Sequence, residues 1–215
     1  MTFSELKKIV AQGEGLQIEF KRKTTYPDKI MREVVAFANS KGGKLIIGVD
    51  DDGTIAGLKH ALEDEFVMKE ALSKYCKPAI QYEMAKVLVS PNRFVLVFSI
   101  PQSEIKPVFL IYNFKTGLGR AYIRVADKSI QASREMRNIL KGMNNGKDTY
   151  LQYGENEQKL MRYLGNNEKI DLPTYAQIAG IEIKQASEVL VKMTLAGVLK
   201  ILPDDSGDTF IANGF

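Results

Sequence analysis

One cysteine, Cys76, and one histidine, His60, stand among 215 residues, and there is no tryptophan. A single cysteine rules out an intrachain disulfide and any multi-cysteine zinc site. A single histidine rules out a zinc site built from histidines, and it leaves a Ser-His-Asp triad only if His60 serves it. No third residue supports either side chain in chemistry, so both read as structural or incidental. No apolar run is long enough for a membrane span, and the opening MTFSELKKIV is too polar for a signal peptide. The phosphate-loop pattern G-x4-G-K-[ST] is missing too. Gly42-Gly43 follows a helical stretch instead of preceding one, which argues against ATP binding of that kind. There is no internal repeat or low-complexity tract. An ordinary globular composition and a lone cysteine make a reducing cytoplasm the expected setting.

What is present is uneven charge. The net charge is +4, but residues 1–154 hold 24 Lys and Arg against 17 Asp and Glu, whereas residues 155–215 hold 6 against 9. Long-range attraction for a polyanion therefore comes from the first part of the chain.

Glu14 to Gly57 organises that part. Leu16, Ile18 and Phe20 alternate with Gln17, Glu19 and Lys21, the period of a half-buried strand, so Glu19 and Lys21 share the face opposite the apolar one. Strict alternation puts Glu14 on the apolar side, but Gly13 and Gly15 flank it and permit a bend towards Glu19. Pro27 and Asp28 start a helix with an apolar stripe of Ile30, Met31, Val34, Val35, Phe37 and Ala38, and Gly42-Gly43 stops it. The run Leu45 to Val49 reads as a buried central strand. Asp51-Asp52-Gly53 is a turn, and Thr54 to Gly57 begins a return strand.

Further on, Ser4 is the plausible cap of a short helix over residues 4–12. Ala61 to Tyr75 predicts a helix with Leu62, Phe66, Ala71 and Leu72 inward. Ile80–Val89 pairs with Phe94–Ile100, and Pro107–Phe114 with Arg120–Val125, as hairpins. Ile130 to Leu140 predicts a helix carrying Arg134 and Arg137. Residues 142–154 are rich in Gly and Asn and read as a linker. Three helices and a small hairpin follow in residues 155–215, a pattern that resembles a winged helix-turn-helix module. The expected fold class is α+β: an N-terminal mixed sheet with flanking helices over residues 1–141, then the small winged helix.

The segments EFK, AFANSKGG and GVDDDGTIAG, with KPVFLIYNFKTGLGRAYIRVADKSIQAS later, resemble the signature of the Schlafen/AlbA-like domain family. Ala126 stands where the commoner family form has glycine. Bacterial members are described as DNA-binding or transcriptional regulators, some as divergent AAA proteins. Animal relatives use the domain as an RNA-cleaving nuclease with three carboxylates. Carried over by motif, those positions are Glu14, Glu19 and Asp50, and the resemblance implies Mg²⁺ or Mn²⁺ between them.

Clustered carboxylates do suit a hard cation that activates water and neutralises a scissile phosphate. The same residues also read as ordinary partners: Glu19 with Lys21 or Arg22, and Asp50 opening a turn. Lys21, Arg22 and Lys23 form a basic run beyond a strand end, suited to phosphates or simply solvated. Arg120 and Arg124 fall on one face of a strand and, with Lys128, add to the basic surface. Lys184, Gln185 and Ser187 lie early on the third C-terminal helix, where a winged-helix reader faces the major groove. That module is net acidic, so dimerisation or protein contact is an equal expectation for it. The first reading is therefore a nucleic-acid-binding protein of the cytoplasm, a DNA-binding transcriptional regulator and a plausible homodimer, with DNA or RNA as partner and no membrane. A metal-dependent endoribonuclease using Glu14, Glu19 and Asp50 is the alternative, and a protein-interaction scaffold is the third class.

Overall fold

The computed structural model describes residues 1–145 and 153–214. Contacts divide the chain into two units, Met1–Gln131 and Ala132–Phe215.

A short helix, α1 (Phe3–Val10), opens the first unit. Its cap is Thr2 and not Ser4: the Thr2 hydroxyl accepts from the Glu5 amide, and the Glu5 carboxylate accepts from the Thr2 amide at 2.6 Å. The predicted first strand is β1 (Ile18–Lys21), shorter than the apolar alternation suggests; Leu16 lies before it and is exposed. Helix α2 (Pro27–Asn39) follows, with Pro27 in its first turn. The chain leaves the helix through Gly42, whose φ is +74° and whose N–H donates to the Phe37 carbonyl. A Cβ on Gly42 would lie 2.7 Å from the Ile100 carbonyl oxygen, and one on Gly43 would lie 2.4 Å from the Phe37 ring. The glycine pair thus lets the helix turn straight into β2 (Gly43–Ile47) under its own aromatic side chain.

The remaining elements of this unit are α3 (Ala61–Tyr75), β3 (Cys76–Lys77), β4 (Glu83–Ser90), β5 (Arg93–Ile100), β6 (Phe109–Asn113), β7 (Leu118–Arg120), β8 (Tyr122–Val125) and β9 (Lys128–Gln131). The main sheet has the order β1-β2-β5-β4, with β1 and β2 parallel and the other pairs antiparallel. Strands β3, β6 and β7 form a second sheet, and β8 and β9 a two-stranded ribbon. Thr54 to Gly57 makes no strand; the return chain touches the sheet through single bridges, Val49 with Ile55 and Leu58 with Phe94.

Both faces of the main sheet are covered. Phe20, Ile46, Val95 and Val97 pack with Leu6 and Val10 of α1. Leu45, Ile47, Leu96 and Phe98 pack with α2 and α3. On α3 the inward positions are Ala61, Met68, Ala71 and Leu72, while Leu62 and Phe66 point outward at 71% and 65% exposure. The helix carries two apolar stripes, and its periodicity cannot say which one meets the sheet.

Asn39, at the end of α2, is buried and fully engaged. Its amide nitrogen donates to the carbonyls of Val108 and Tyr122, both at 2.9 Å, and its amide oxygen accepts from the Val108 amide at 2.7 Å. That one side chain ties the helix end to β8 and to the approach of β6.

Ala126 and Asp127 form the two-residue turn between β8 and β9, and Ala126 has φ +51°. A two-residue hairpin with one positive φ at its first central position favours glycine there, and an L-residue pays about 1–2 kcal/mol for it. Ala126→Gly is expected to stabilise the protein by about 0.5–1 kcal/mol after the added entropy of the unfolded chain is subtracted. A rise in the urea midpoint checks this.

The second unit contains α4 (Arg134–Gly142), α5 (Glu155–Leu164), β10 (Ile170–Asp171), α6 (Leu172–Ala179), α7 (Ile183–Leu195), β11 (Leu199–Leu202) and β12 (Thr209–Ala212). Its three strands form an antiparallel sheet in the order β10-β12-β11. Leu160, Tyr175, Leu190, Met193 and Phe210 fill the core. Ile139 of α4 belongs to the same core, so the helix read from sequence as closing the N-terminal domain lies in this unit instead. Ile130 and Gln131, the predicted start of that helix, instead end β9. Ser133 caps α4, accepting from the Met136 amide at 2.9 Å, and its hydroxyl donates to the Asp208 carboxylate in the β11–β12 loop. Most of the expected linker, 142–154, lies outside the described residues. Among the described residues, no helix is long and apolar enough to cross a membrane.

Candidate nucleic-acid interface

Strand pleating places Glu19 and Lys21 on the face of β1 that looks towards α2, in line with Leu45 and Ile47 of β2. This face is covered, so the alternation that suggests a solvent side for Glu19 instead buries it at 7% exposure. A buried carboxylate needs cationic partners, and Glu19 has two. Lys21 hydrogen-bonds to one oxygen, and the Arg124 guanidinium donates to the other at 3.1 Å.

Arg124 comes from β8, and its side chain is wholly buried. Its Nη1 also donates to Glu33 of α2 at 2.7 Å and to the Ser129 hydroxyl at 3.1 Å. Its Nη2 donates to the Gly15 carbonyl, and the guanidinium lies 4.9 Å from the centre of the Phe37 ring. Ser129 in turn donates to Glu33. One guanidinium therefore links β1, α2, β8, β9 and the loop before β1. Burial pushes the Glu19 carboxyl above its ordinary range, Lys21 opposes the rise, and the nearby Glu33 and Glu14 carboxylates add to it.

The three carboxylates named from the family motif are placed as follows. Glu14 does turn towards the strand, where it accepts from the Phe20 amide at 2.8 Å. Glu19 is held by Lys21 and Arg124. Asp50 lies 3.3 Å from Arg22 in an ion pair. Among the described residues no three His, Cys, Asp or Glu side chains are grouped to hold a metal. The donor set does not fit a divalent cation as it stands, because a guanidinium that cannot deprotonate already sits against the carboxylate at the centre of the motif.

The basic run is placed differently. Arg22 and Lys23 are exposed in the loop between β1 and α2. A cavity of about 790 Å³ opens there, lined by Lys21, Arg22, Lys23, Tyr26, Lys29 and Arg32 with Thr25, Ile30 and Glu33. Five cations thus face one anion, and the Glu33 carboxylate is engaged by Arg124. A second cavity of about 520 Å³ shares Arg22 and Lys23 and adds Lys59, His60 and Arg93, alongside Glu63 and Asp64. Together they form a cationic surface on both sides of the loop. Lys29 and Arg32 reach it because α2 presents them one turn apart on its solvent side. Neither was among the residues singled out from sequence, although their spacing after Lys23 carries the signal.

Arg120 and Arg124 do not share a face. The strand is broken at Ala121: Arg120 ends β7 and is exposed beside the Tyr112 ring, whereas Arg124 sits on β8 in the interior. Arg124 is therefore an internal counter-ion and not a phosphate contact in this arrangement. In the second unit Lys184 and Gln185 are exposed on α7. Ser187 is not; it is 4% exposed and donates to Glu135 of α4 at 2.6 Å. Helix α4 covers that side of α7, and the close approach is visible at Gly142, where a Cβ would lie 2.4 Å from Leu195. Cys76 is buried beside the Met31 sulfur, and burial pushes its thiol up to about 12, which removes it as a nucleophile at neutral pH. His60 is exposed near Glu63.

The solved structures to which the chain is similar include the following two, both with TM-scores below 0.5. One is the solution structure of the N-terminal domain of a RecG-related protein from Nitrosomonas europaea, 27% identical, with a TM-score of 0.42 over 62% of this chain and 94% of that one. The other is the DIP2311 protein from Corynebacterium diphtheriae, 17% identical, with a TM-score of 0.43 over 63% of this chain and only 31% of that one. No curated protein matches the chain. The Schlafen AlbA_2 family profile matches residues 14–133, more than half of the sequence and nearly the whole of the first unit, including β1, the basic loop, α2 and β8. The chain therefore belongs to the Schlafen AlbA_2 family.

Proposed function

We propose that this chain is a nucleic-acid-binding protein whose first unit holds phosphates on the cationic surface around Arg22 and Lys23. The observation that carries this reading is the cavity of about 790 Å³ with five Lys and Arg side chains and a single carboxylate that is occupied elsewhere. Such a surface attracts a polyanion and positions its backbone without reading its sequence. Membership of a family linked to nucleic-acid binding supports it.

The second unit supplies readout or assembly. Its element order after α4, helix-strand-helix-helix-strand-strand with a three-stranded sheet, supports a winged helix-turn-helix reading. On α7 the outward row Lys184, Glu188 and Lys192, with Gln185 beside it, is the part open to a groove. A DNA-binding transcriptional regulator, acting as a dimer on paired half-sites, is the specific form this reading takes.

The test is a gel-shift assay of the purified protein with labelled tRNA and duplex DNA, with and without Mn²⁺. Shifted, uncut bands that fade as salt rises are expected, with a slope corresponding to about 3–5 phosphate contacts. Mn²⁺-dependent RNA fragments that disappear in Glu19→Ala would replace this reading with that of a nuclease. Absence of any salt-sensitive shift would leave a protein-interaction scaffold.

A further inference from the structure

We propose that the cationic cavity takes a single-stranded nucleic acid, with one base stacked on Tyr26. This rests on the nucleic-acid reading above and names the form of the ligand. Tyr26 immediately precedes α2 and is 61% exposed, although it lines the same cavity as Lys21, Arg22, Lys23, Lys29 and Arg32. An aromatic ring left this open gains little from burial and adds little to the core. Nothing in the local fold requires it: the Tyr26 side chain makes no cap hydrogen bond to α2, and its ring does not join any core cluster of the unit. Its backbone carbonyl accepts from the Lys29 and Ile30 amides, a role that any residue fills.

The Lys29 ammonium lies 4.8 Å from the centre of the ring. A cation over one face polarises the ring and puts a phosphate-pairing charge next to it. The arrangement therefore combines the two parts that single-strand sites use: a positive groove that tracks the backbone and an aromatic platform that accepts a base face. A duplex offers the phosphates but not an unstacked base, because its bases are paired and stacked on one another. Charge complementarity thus accounts for any nucleic acid here, and Tyr26 accounts for a preference among them.

The proposal is tested with a 12-nucleotide oligothymidine, the same oligomer with abasic sites in place of its bases, and a duplex of equal length, each measured by fluorescence anisotropy at a low and at a raised salt concentration. The parent protein is expected to bind the oligothymidine roughly tenfold or more tightly than the abasic strand. Tyr26→Leu is expected to lose that preference while binding the abasic strand and the duplex as the parent does. Tyr26→Phe is expected to keep it, since the ring and not the hydroxyl stacks. Equal binding of the base-bearing and abasic strands by the parent overturns the stacking proposal and leaves the phosphate-binding reading intact. Absence of salt-sensitive binding to all three probes overturns both. The comparison of strands uses the parent protein alone, so it does not depend on any variant folding.

Discussion

Arg124→Met is expected to lower the stability of the first unit by about 3–5 kcal/mol, a large part of what a domain has. The substitution keeps an unbranched, apolar side chain in the space beside Phe37. It removes the guanidinium that pairs with both Glu19 and Glu33, whose side chains are 10% and 13% exposed. Two carboxylates then remain in a covered layer with Lys21 as the near cation. The cost comes from stranding those charges, so a second substitution that removes one of them should recover part of it. Glu19→Gln in the Arg124→Met background is therefore expected to be more stable than Arg124→Met alone.

The pH dependence of this deficit follows from the raised Glu19 carboxyl. The folded protein holds that proton more tightly than the unfolded chain does. Stability from protonation is thus fully present below the ordinary value of 4.5 and is lost as pH rises through the higher folded value. Without Arg124 the folded value rises further, so the variant's deficit should be smallest near pH 4.5 and largest at neutral pH. Urea unfolding of parent and variant at several pH values measures it. The same experiment separates this role from the surface role expected of Arg124 from sequence. Were Arg124 a phosphate contact, its loss would weaken nucleic-acid binding and leave the urea midpoint in place. The buried ion pair predicts the reverse.

The second large effect belongs to the cavity. Joint replacement of Lys23, Lys29 and Arg32 by alanine is expected to weaken binding of tRNA and duplex DNA by roughly a hundredfold at low salt. It should also reduce the slope of log affinity against log salt by about three. All three side chains are exposed, so the urea midpoint should move little, with each change within about 0.5 kcal/mol. Lys21 is left out of this set because it pairs with Glu19, and its loss would mix stability with binding. Unchanged affinity in a folded triple variant would remove this surface from the function. The residues open on α7, Lys184 and Gln185, would then be the next to test.

Much of the first unit was legible in the chain itself. The alternation of β1, the proline start and glycine stop of α2, and the apolar run of β2 are signals carried by a few adjacent residues. The structure contains each of these elements, with β1 confined to Ile18–Lys21 and β2 shifted two residues earlier, to Gly43–Ile47. The basic run was legible for the same reason: Arg22 and Lys23 sit in a short loop that leaves them at the surface whatever surrounds it. Ala126 too stood out in sequence, and the turn it occupies has the positive φ that explains the family's usual glycine.

Tertiary structure alone decided the rest. Glu19 meets Arg124 across 105 positions of sequence, and no periodicity links them. Alternation says which residues share a face of a strand but not whether that face is wet or covered, so Glu19 could be assigned a side and not an environment. The break at Ala121 separates Arg120 from Arg124 although their spacing suits one strand. On α3, two apolar stripes compete, and only the sheet it lands on selects Met68 over Phe66. Ser187 lies early on a helix with an open row, yet α4 covers its side, because that helix joins the second unit. Local residue order determined the elements and the charge of the loop. Which carboxylates bind an internal guanidinium, and which cations remain for a ligand, was set by packing between segments far apart in the chain, where burial and long-range pairing outweigh local preference.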